Sequence, residues 1–206
     1  MIMKVEMSKR IMKLNYEIMK KNNISFGINP WSGYETANPF YALEAFFDFA
    51  HLDYHKNILS EAVIHSHKRK IYKQDNPCEV FVFYSTICSF LRVCYCLKIK
   101  SKKWKVKESA RSEDVFHLSS LTKQEFDNPF VVFQKAFSEN TLEEFEFFIW
   151  EVTQLSLSPH EEEFDYDLMT PYVYLIKMLD AGELMRERGV EKIKKEALTI
   201  REIGLR

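Results

Sequence analysis

Residues 78–97 read CEVFVFYSTICSFLRVCYCL, and no other stretch of the chain constrains the fold as strongly. Between Val80 and Leu97 the single charged residue is Arg92, and the apolar residues leave no continuous polar face. A helix that is apolar on every side has to be surrounded, either by a protein core or by lipid. We therefore predict an all-α protein, an irregular multi-helix bundle around a buried central helix at about residues 77–97.

The same stretch approaches the roughly 20 apolar residues that span a bilayer. The guanidinium of Arg92 would cost roughly 2.5–3.5 kcal/mol near the middle of such a span. No secretory signal is predicted, because charges interrupt residues 1–21 every few positions and leave no apolar segment. The sequence therefore predicts a cytoplasmic protein that does not associate with membranes.

The composition of the 206 residues is that of a folded globular protein, with 46% hydrophobic and 29% charged residues. Seventeen phenylalanines predict a Phe-rich core. Only five glycines are present, and no GxGxxG or GxxxxGK[ST] motif occurs, so a glycine-loop nucleotide site is not expected and no cofactor is predicted. The four cysteines lack CxxC spacing and are predicted to be buried free thiols in a reducing compartment: Cys78, Cys88, Cys94 and Cys96.

All six prolines follow Asn, Ser or Thr, which favour the N-cap of a helix. Proline suits the next position because it has no N–H to leave unpaired. Capping boxes begin at Thr122 and Thr141. Together with apolar periodicity, these signals predict helices over residues 3–21, 39–70 (with a break at 53–57), 77–97, 129–137, 142–157 and 171–184, followed by a charged amphipathic tail over 190–203.

Charge divides the chain into two halves. Residues 1–110 carry 18 Lys and Arg against 10 Asp and Glu, whereas residues 111–206 carry 11 against 20. Mutual attraction of two halves of one domain is the interpretation we favour, and a polyanion-binding face on the first half is the alternative. We predict a single helical domain over residues 1–206, with a candidate sub-division near residues 108–121.

One helix face carries only carboxylates and imidazoles. At 100° per residue, Glu44, Asp48, His51 and His55 fall in one narrow stripe. This stripe is a solvent-exposed face, a buried polar cluster, or a metal site in which Asp48, His51 and His55 supply ligands at helical spacing. A metal would need further ligands from other helices, and no second Glu-x-x-His supplies them.

Arg92 needs a partner if the central helix is buried, because an unpaired buried charge is very costly. In an antiparallel pair of the second and central helices, Arg92 lies level with His55. Asp48 and Asp53 are then the nearest carboxylates.

Lysines alternate with apolar residues after Leu97. Either Leu97–Val106 is a small basic hairpin around Ser101 and Lys102, or the helix ends and a loop follows. We favour the loop, because the turn lacks the Asn-Gly or Asp-Gly of tight hairpins. Lysines that contact phosphates and a tryptophan that stacks on a base would make this segment a nucleic-acid site comprising Lys98, Lys100, Lys102, Lys103, Trp104, Lys105 and Lys107.

Residues 111–117 read RSEDVFH, with five residues between Arg111 and His117. This spacing resembles the Arg…His motif of HEPN ribonucleases, which are helical bundles. The resemblance covers seven residues and implies that Arg111 and His117 would act on a scissile phosphate. It falls where the sequence predicts a loop, whereas the family carries the motif on a helix.

These observations predict a helical binding or regulatory module without catalytic activity. Its partner is expected to be another protein or a second copy of the chain, bound through an aromatic helix face. One alternative is an enzyme acting on phosphodiesters, either HEPN-like or metal-dependent. Another is a nucleic-acid-binding regulator that uses Lys98–Lys107.

Overall fold

The computed structural model describes residues 38–68, 71–72, 78–108, 119–158 and 167–193, and the helix predicted over 3–21 lies outside these ranges. Within these ranges the chain forms seven α-helices and two three-residue strands, which confirms the predicted all-α class. The helices are α1 (Pro39–Phe49), α2 (Leu52–Ser66), α3 (Cys78–Lys100), α4 (Lys123–Asp127), α5 (Phe130–Glu139), α6 (Leu142–Ser156) and α7 (Met169–Arg188). The strands are β1 (Trp104–Val106) and β2 (Val190–Lys192), which pair antiparallel.

α3 is the buried central helix that the sequence predicts. Helices α1, α5 and α6 pack on it, and residues such as Phe90, Leu91 and Leu97 have no solvent exposure. By length and composition the segment Glu79–Lys100 could cross a membrane, but 67% of its most apolar window is buried within the fold. This burial is consistent with the core helix of a soluble protein.

Three of the four cysteines are buried free thiols on α3, as predicted. Burial raises the pKa of Cys88 to about 12 and that of Cys96 to about 11, and it also raises the pKa of Cys94. Because the thiolate is the reactive form, these groups behave as small apolar side chains. The side chain of Cys78 lies outside the described residues.

The rest of the core is rich in phenylalanine. α2 packs against α6 and α7, and α7 also contacts α1 and α5. Gly182 lets α7 approach α1 closely, since a Cβ there would lie 3.1 Å from both Leu43 and Phe47. Six phenylalanines are at most 2% exposed: Phe46, Phe90, Phe130, Phe133, Phe145 and Phe148.

Local capping signals place several helix starts where the sequence predicts them. The side chain of Asn38 accepts from the N–H of Phe40 at 3.1 Å, and α1 begins at Pro39. Both capping boxes form, between Thr122 and Glu125 and between Thr141 and Glu144. α7 begins two residues before the predicted Pro171, at Met169.

The break predicted in the helix over residues 39–70 is misplaced. A break occurs at Ala50 and His51, which have extended backbone angles, and not at residues 53–57. Consequently α1 packs on α3, whereas α2 packs mainly on α6 and α7. No proline or glycine marks the break, so local sequence signals did not reveal it.

Both predictions for Leu97–Val106 are wrong. α3 continues to Lys100, and β1 pairs with β2 instead of forming a local hairpin. Residues 190–192 were predicted as part of a charged tail over 190–203. Gly189 ends α7 at φ 75° and ψ 167° and turns the chain toward β1. The N–H of Lys107 then donates to the carbonyl of Gly189 at 3.1 Å.

Ion pairs join the basic and acidic halves of the chain. Lys56 pairs with Asp180, and Arg92 pairs with Glu146 at 2.8 Å. One hydrophobic cluster includes residues from both halves, from Ala42 to Met185. These contacts support the interpretation that the two halves attract each other.

Candidate nucleic-acid interface

Two segments distant in sequence combine into one lysine-rich element, which we name the basic ribbon (residues 98–108 and 190–193). It comprises the last turn of α3, the turn at 101–103, β1, β2 and the adjoining residues. The basic ribbon contains seven lysines and two glutamates, a net charge of +5. Because the whole chain carries a net charge of −1, this positive charge is local.

Trp104 anchors the basic ribbon to the core. Its ring is half-buried and lies 4.7 Å from the ring of Phe40, centroid to centroid. The ammonium of Lys192 lies 5.5 Å from the centroid of the Trp104 ring. The structure therefore places Trp104 in packing and cation–π contacts, not in the open position that the stacking hypothesis requires.

The lysines of the basic ribbon differ in how they are engaged. Lys98 donates to the carbonyl of Phe137 at 3.1 Å. The ammonium of Lys105 lies 3.1 Å from the carboxylate of Glu191, with side chains 62% and 47% exposed. Such an exposed pair contributes only about 0–1 kcal/mol, so a phosphate could displace the carboxylate.

The other lysines on the first segment have no carboxylate partner among the residues that the structure describes: Lys100, Lys102, Lys103 and Lys107. Their ammonium groups repel one another, and an approaching polyanion relieves that repulsion. The arrangement can therefore bind an extended anion through several point charges.

The break at Ala50 and His51 divides the candidate metal residues between two helices. Asp48 is exposed and lies 3.9 Å from Arg186, His51 is exposed at the N-cap of α2, and His55 is buried. Glu44 is exposed too, so the solvent-face interpretation holds for three members of the stripe and fails for His55. In the part of the chain that the structure describes, no three His, Cys, Asp or Glu side chains are placed to hold a metal ion.

His55 is a neutral core residue. It is 1% exposed, and its ring stacks on that of Phe46 at 4.1 Å. Burial lowers the pKa of His55 to about 4, although the backbone carbonyls of Phe46 and Ala50 and the charge on Glu183 act in the opposite direction. Its Nε2 atom is buried without a hydrogen-bond partner. Protonation of this ring is therefore unfavourable in the folded state.

Arg92 finds a different carboxylate from those predicted. Its Nε donates to Glu146 on α6 at 2.8 Å, and not to Asp48 or Asp53. The pair is largely shielded, with side chains 23% and 11% exposed. It joins α3 to α6, so the one charge in the apolar stretch has a structural role.

Sequence reasoning missed a second polar cluster, around Glu125 of α4. Its carboxylate is 3% exposed and lies 2.7 Å from the ammonium of Lys177 and 3.1 Å from that of Lys135. Burial alone would raise the pKa of Glu125, but hydrogen bonds from Lys177, the N–H of Thr122 and Lys135 lower it to about 2. The capping box was the one visible signal of this residue, and it gave no indication of the two lysines.

An acidic cavity of about 310 Å³ lies where α2, α4 and α7 meet, and its lining includes Asp53, Asp180 and Glu183. Asp180 is already neutralised by Lys56 and accepts from the N–H and hydroxyl of Ser120 at 2.8 and 2.6 Å. These contacts give Asp180 a structural role.

Arg111 and His117, which carry the HEPN resemblance, lie outside the described residues. The comparisons add no relative: no protein-family model, curated protein or solved structure matches the chain. The lysines predicted as nucleic-acid contacts lie on the basic ribbon together with Lys192, for which no sequence pattern indicated a role.

Proposed function

We propose that this protein is a non-catalytic helical binding module of the cytoplasm, and that its ligand is a nucleic acid bound through the basic ribbon. The proposal depends mainly on one observation: seven lysines from two distant segments lie on one short two-stranded ribbon and its adjoining residues. Lysine ammonium groups suit phosphate oxygens as point-charge partners. The helical core serves to hold β1 and β2 in register.

Binding of this kind has a characteristic salt dependence. Each phosphate that a lysine neutralises releases condensed counterions, so the logarithm of the binding constant falls by about 0.7–0.9 per contact for each tenfold rise in salt. Lys98 and Lys192 already contact protein groups. If the other five lysines each contact one phosphate, the slope should lie between about −3.5 and −4.5.

The test is fluorescence anisotropy with labelled DNA and RNA over a series of salt concentrations. The variant Lys102→Gln/Lys103→Gln removes two exposed charges from the basic ribbon. The matched control, Lys68→Gln/Lys123→Gln, removes the same charge from the end of α2 and the start of α4. We expect the ribbon variant to lower the magnitude of the slope by about 1.4–1.8 and the control to leave it unchanged.

Equal losses in the two variants would mean that net charge alone governs binding, and would contradict a ribbon site. Absence of salt-dependent binding in the unsubstituted protein would contradict the proposed function itself. The non-catalytic part of the proposal predicts that bound RNA is recovered intact. Cleavage that is lost in His117→Ala would instead favour the HEPN-like alternative.

A protein partner or a second copy of the chain is the other candidate, because large aromatic side chains are exposed on two helices. Tyr41 on α1 is 65% exposed and Phe81 on α3 is 61% exposed. Light scattering over a range of concentrations tests self-association. A dimer that is lost in Phe81→Ser but kept in Tyr41→Ser would assign the interface to α3, whereas a monomer at all concentrations would exclude a homo-oligomer.

A further inference from the structure

Resting on the proposed function, we infer that the ligand of the basic ribbon is a double-helical nucleic acid recognised through its phosphate backbone, without base stacking and without sequence readout. Three observations support this inference: the types of side chain on the basic ribbon, the contacts that its one aromatic ring already makes, and the charge density of the ligand.

The basic ribbon lacks the planar side chains that read base edges with a fixed geometry. Lysine can contact guanine in the major groove, but only as a point charge on a flexible stem, and the side chains that present a planar pair of hydrogen-bonding groups to a base are Arg, Asn and Gln. Residues 98–108 and 190–193 contain none of these, and their polar groups are lysines, two glutamates and Ser101. The hydroxyl of Ser101 is engaged twice, donating to the carbonyl of Lys98 at 2.6 Å and accepting from Gln134 at 3.0 Å. Contacts from lysine to phosphate position a protein on the backbone and carry no sequence information directly.

The basic ribbon also lacks an open stacking platform. Proteins that bind single strands gain about 1–3 kcal/mol from each base that stacks on an aromatic side chain. Trp104 is the one aromatic residue of the basic ribbon, and its ring is committed to Phe40 and Lys192. Tyr41, which follows Phe40 in sequence, is 65% exposed, and we therefore choose it as the aromatic residue to test for stacking by a single strand.

Without stacking, charge density decides between single and double strands. Duplex DNA carries one charge per about 1.7 Å of helix axis, and each neutralised phosphate changes the salt slope by about 0.9, against about 0.7 for a single strand. A surface that offers only ammonium groups therefore gains more from a duplex. Five contacts predict slopes of about −4.5 for the duplex and about −3.5 for the single strand.

The experiment compares five probes of equal length by fluorescence anisotropy at about 0.1 M salt. The probes are an A·T duplex, a G·C duplex, a mixed-sequence DNA duplex, the corresponding RNA duplex and one single strand. We expect the two homogeneous duplexes to bind within about threefold of each other, because backbone contacts are common to both. We expect each mixed-sequence duplex to bind about tenfold more tightly than the single strand. The variant Tyr41→Ala should leave every affinity within about twofold, since no base stacks on it.

A preference of more than about tenfold for one homogeneous duplex would overturn the inference, because base readout or groove shape would then contribute. Tighter binding of the single strand, lost in Tyr41→Ala, would also overturn it and would assign stacking to Tyr41. Both results leave the proposed nucleic-acid function intact. Failure to bind any of the five probes is a different outcome, which refutes the proposed function and this inference with it.

Discussion

Replacing His55 by phenylalanine should remove most of the acid sensitivity of the fold between about pH 7.5 and pH 5. The imidazole is 1% exposed and stacked on Phe46, and burial lowers its pKa from 6.5 to about 4. In the unfolded chain the same ring would titrate near its ordinary value. Below about pH 6.5 the unfolded state therefore binds a proton that the folded state excludes, and stability falls as the pH is lowered toward 4.

The size of the effect follows from this difference in pKa. A shift from 6.5 to about 4 corresponds to a total of about 3 kcal/mol, of which about 2 kcal/mol is lost by pH 5. The loss is complete below about pH 4, where both states bind the proton. With a urea m-value of about 2 kcal/mol/M, the unfolding midpoint should fall by about 1 M between pH 7.5 and pH 5.

Urea unfolding, monitored by circular dichroism at pH 7.5 and pH 5, measures the change in the unfolding midpoint. His55→Phe keeps an aromatic ring against Phe46 but removes the titrating group, so its midpoint should change little with pH. The exposed His51 supplies the control, and His51→Gln should retain the full pH dependence of the unsubstituted protein. If His55→Phe loses as much stability at pH 5 as the unsubstituted protein, the excluded proton does not belong to His55 and the argument is refuted.

Three further predictions concern other buried or strained positions. Glu125→Gln should lower the free energy of unfolding at neutral pH by about 3 kcal/mol because Lys177 loses its carboxylate. The unsubstituted protein should lose that contribution as the pH falls from about 4.5 to about 2, and acid titration of both proteins by circular dichroism checks this. Gly189→Ala should destabilise the fold by about 1–3 kcal/mol in urea unfolding, because φ 75° with ψ 167° is essentially restricted to glycine, and an unchanged midpoint would contradict this. Mass spectrometry after alkylation should find three thiols unmodified in the folded protein and modified in guanidinium chloride: Cys88, Cys94 and Cys96.

The architecture was predictable where the determining signal is local. The near absence of charge in residues 78–97 predicted α3, because such a helix must be enclosed. The capping boxes at Thr122 and Thr141 predicted the starts of α4 and α6, because the hydrogen bonds involved lie within four residues.

Interactions between distant residues were not predictable in this way. The break at Ala50 and His51 has no proline or glycine, and it is accompanied by the stacking of His55 on Phe46. Arg92 pairs with Glu146, 54 residues away, and periodicity does not identify the partner of a buried charge. Such contacts depend on how the helices pack.

Only the first segment of the candidate site could be predicted from the sequence. The lysines from Lys98 to Lys107 stood out as an alternating run, and their local net charge is independent of how the segment folds. The contribution of β2 could not be predicted, because a strand of three residues has almost no hydrophobic pattern of its own. Lys192 contacts Trp104 only because β2 pairs with β1, which lies far away in sequence. The same pairing removed Trp104 from the set of residues available to a base.

The most direct test of the basic ribbon is a titration of the isotopically labelled protein with a nucleic-acid duplex, followed by two-dimensional NMR of the backbone amides. We expect the shifted resonances to concentrate in residues 98–108 and 190–193, with the shifts of Lys102, Lys103 and Lys192 among the largest. Shifts that instead concentrate on α2 or α4, with the resonances of the basic ribbon unmoved at saturation, would contradict it.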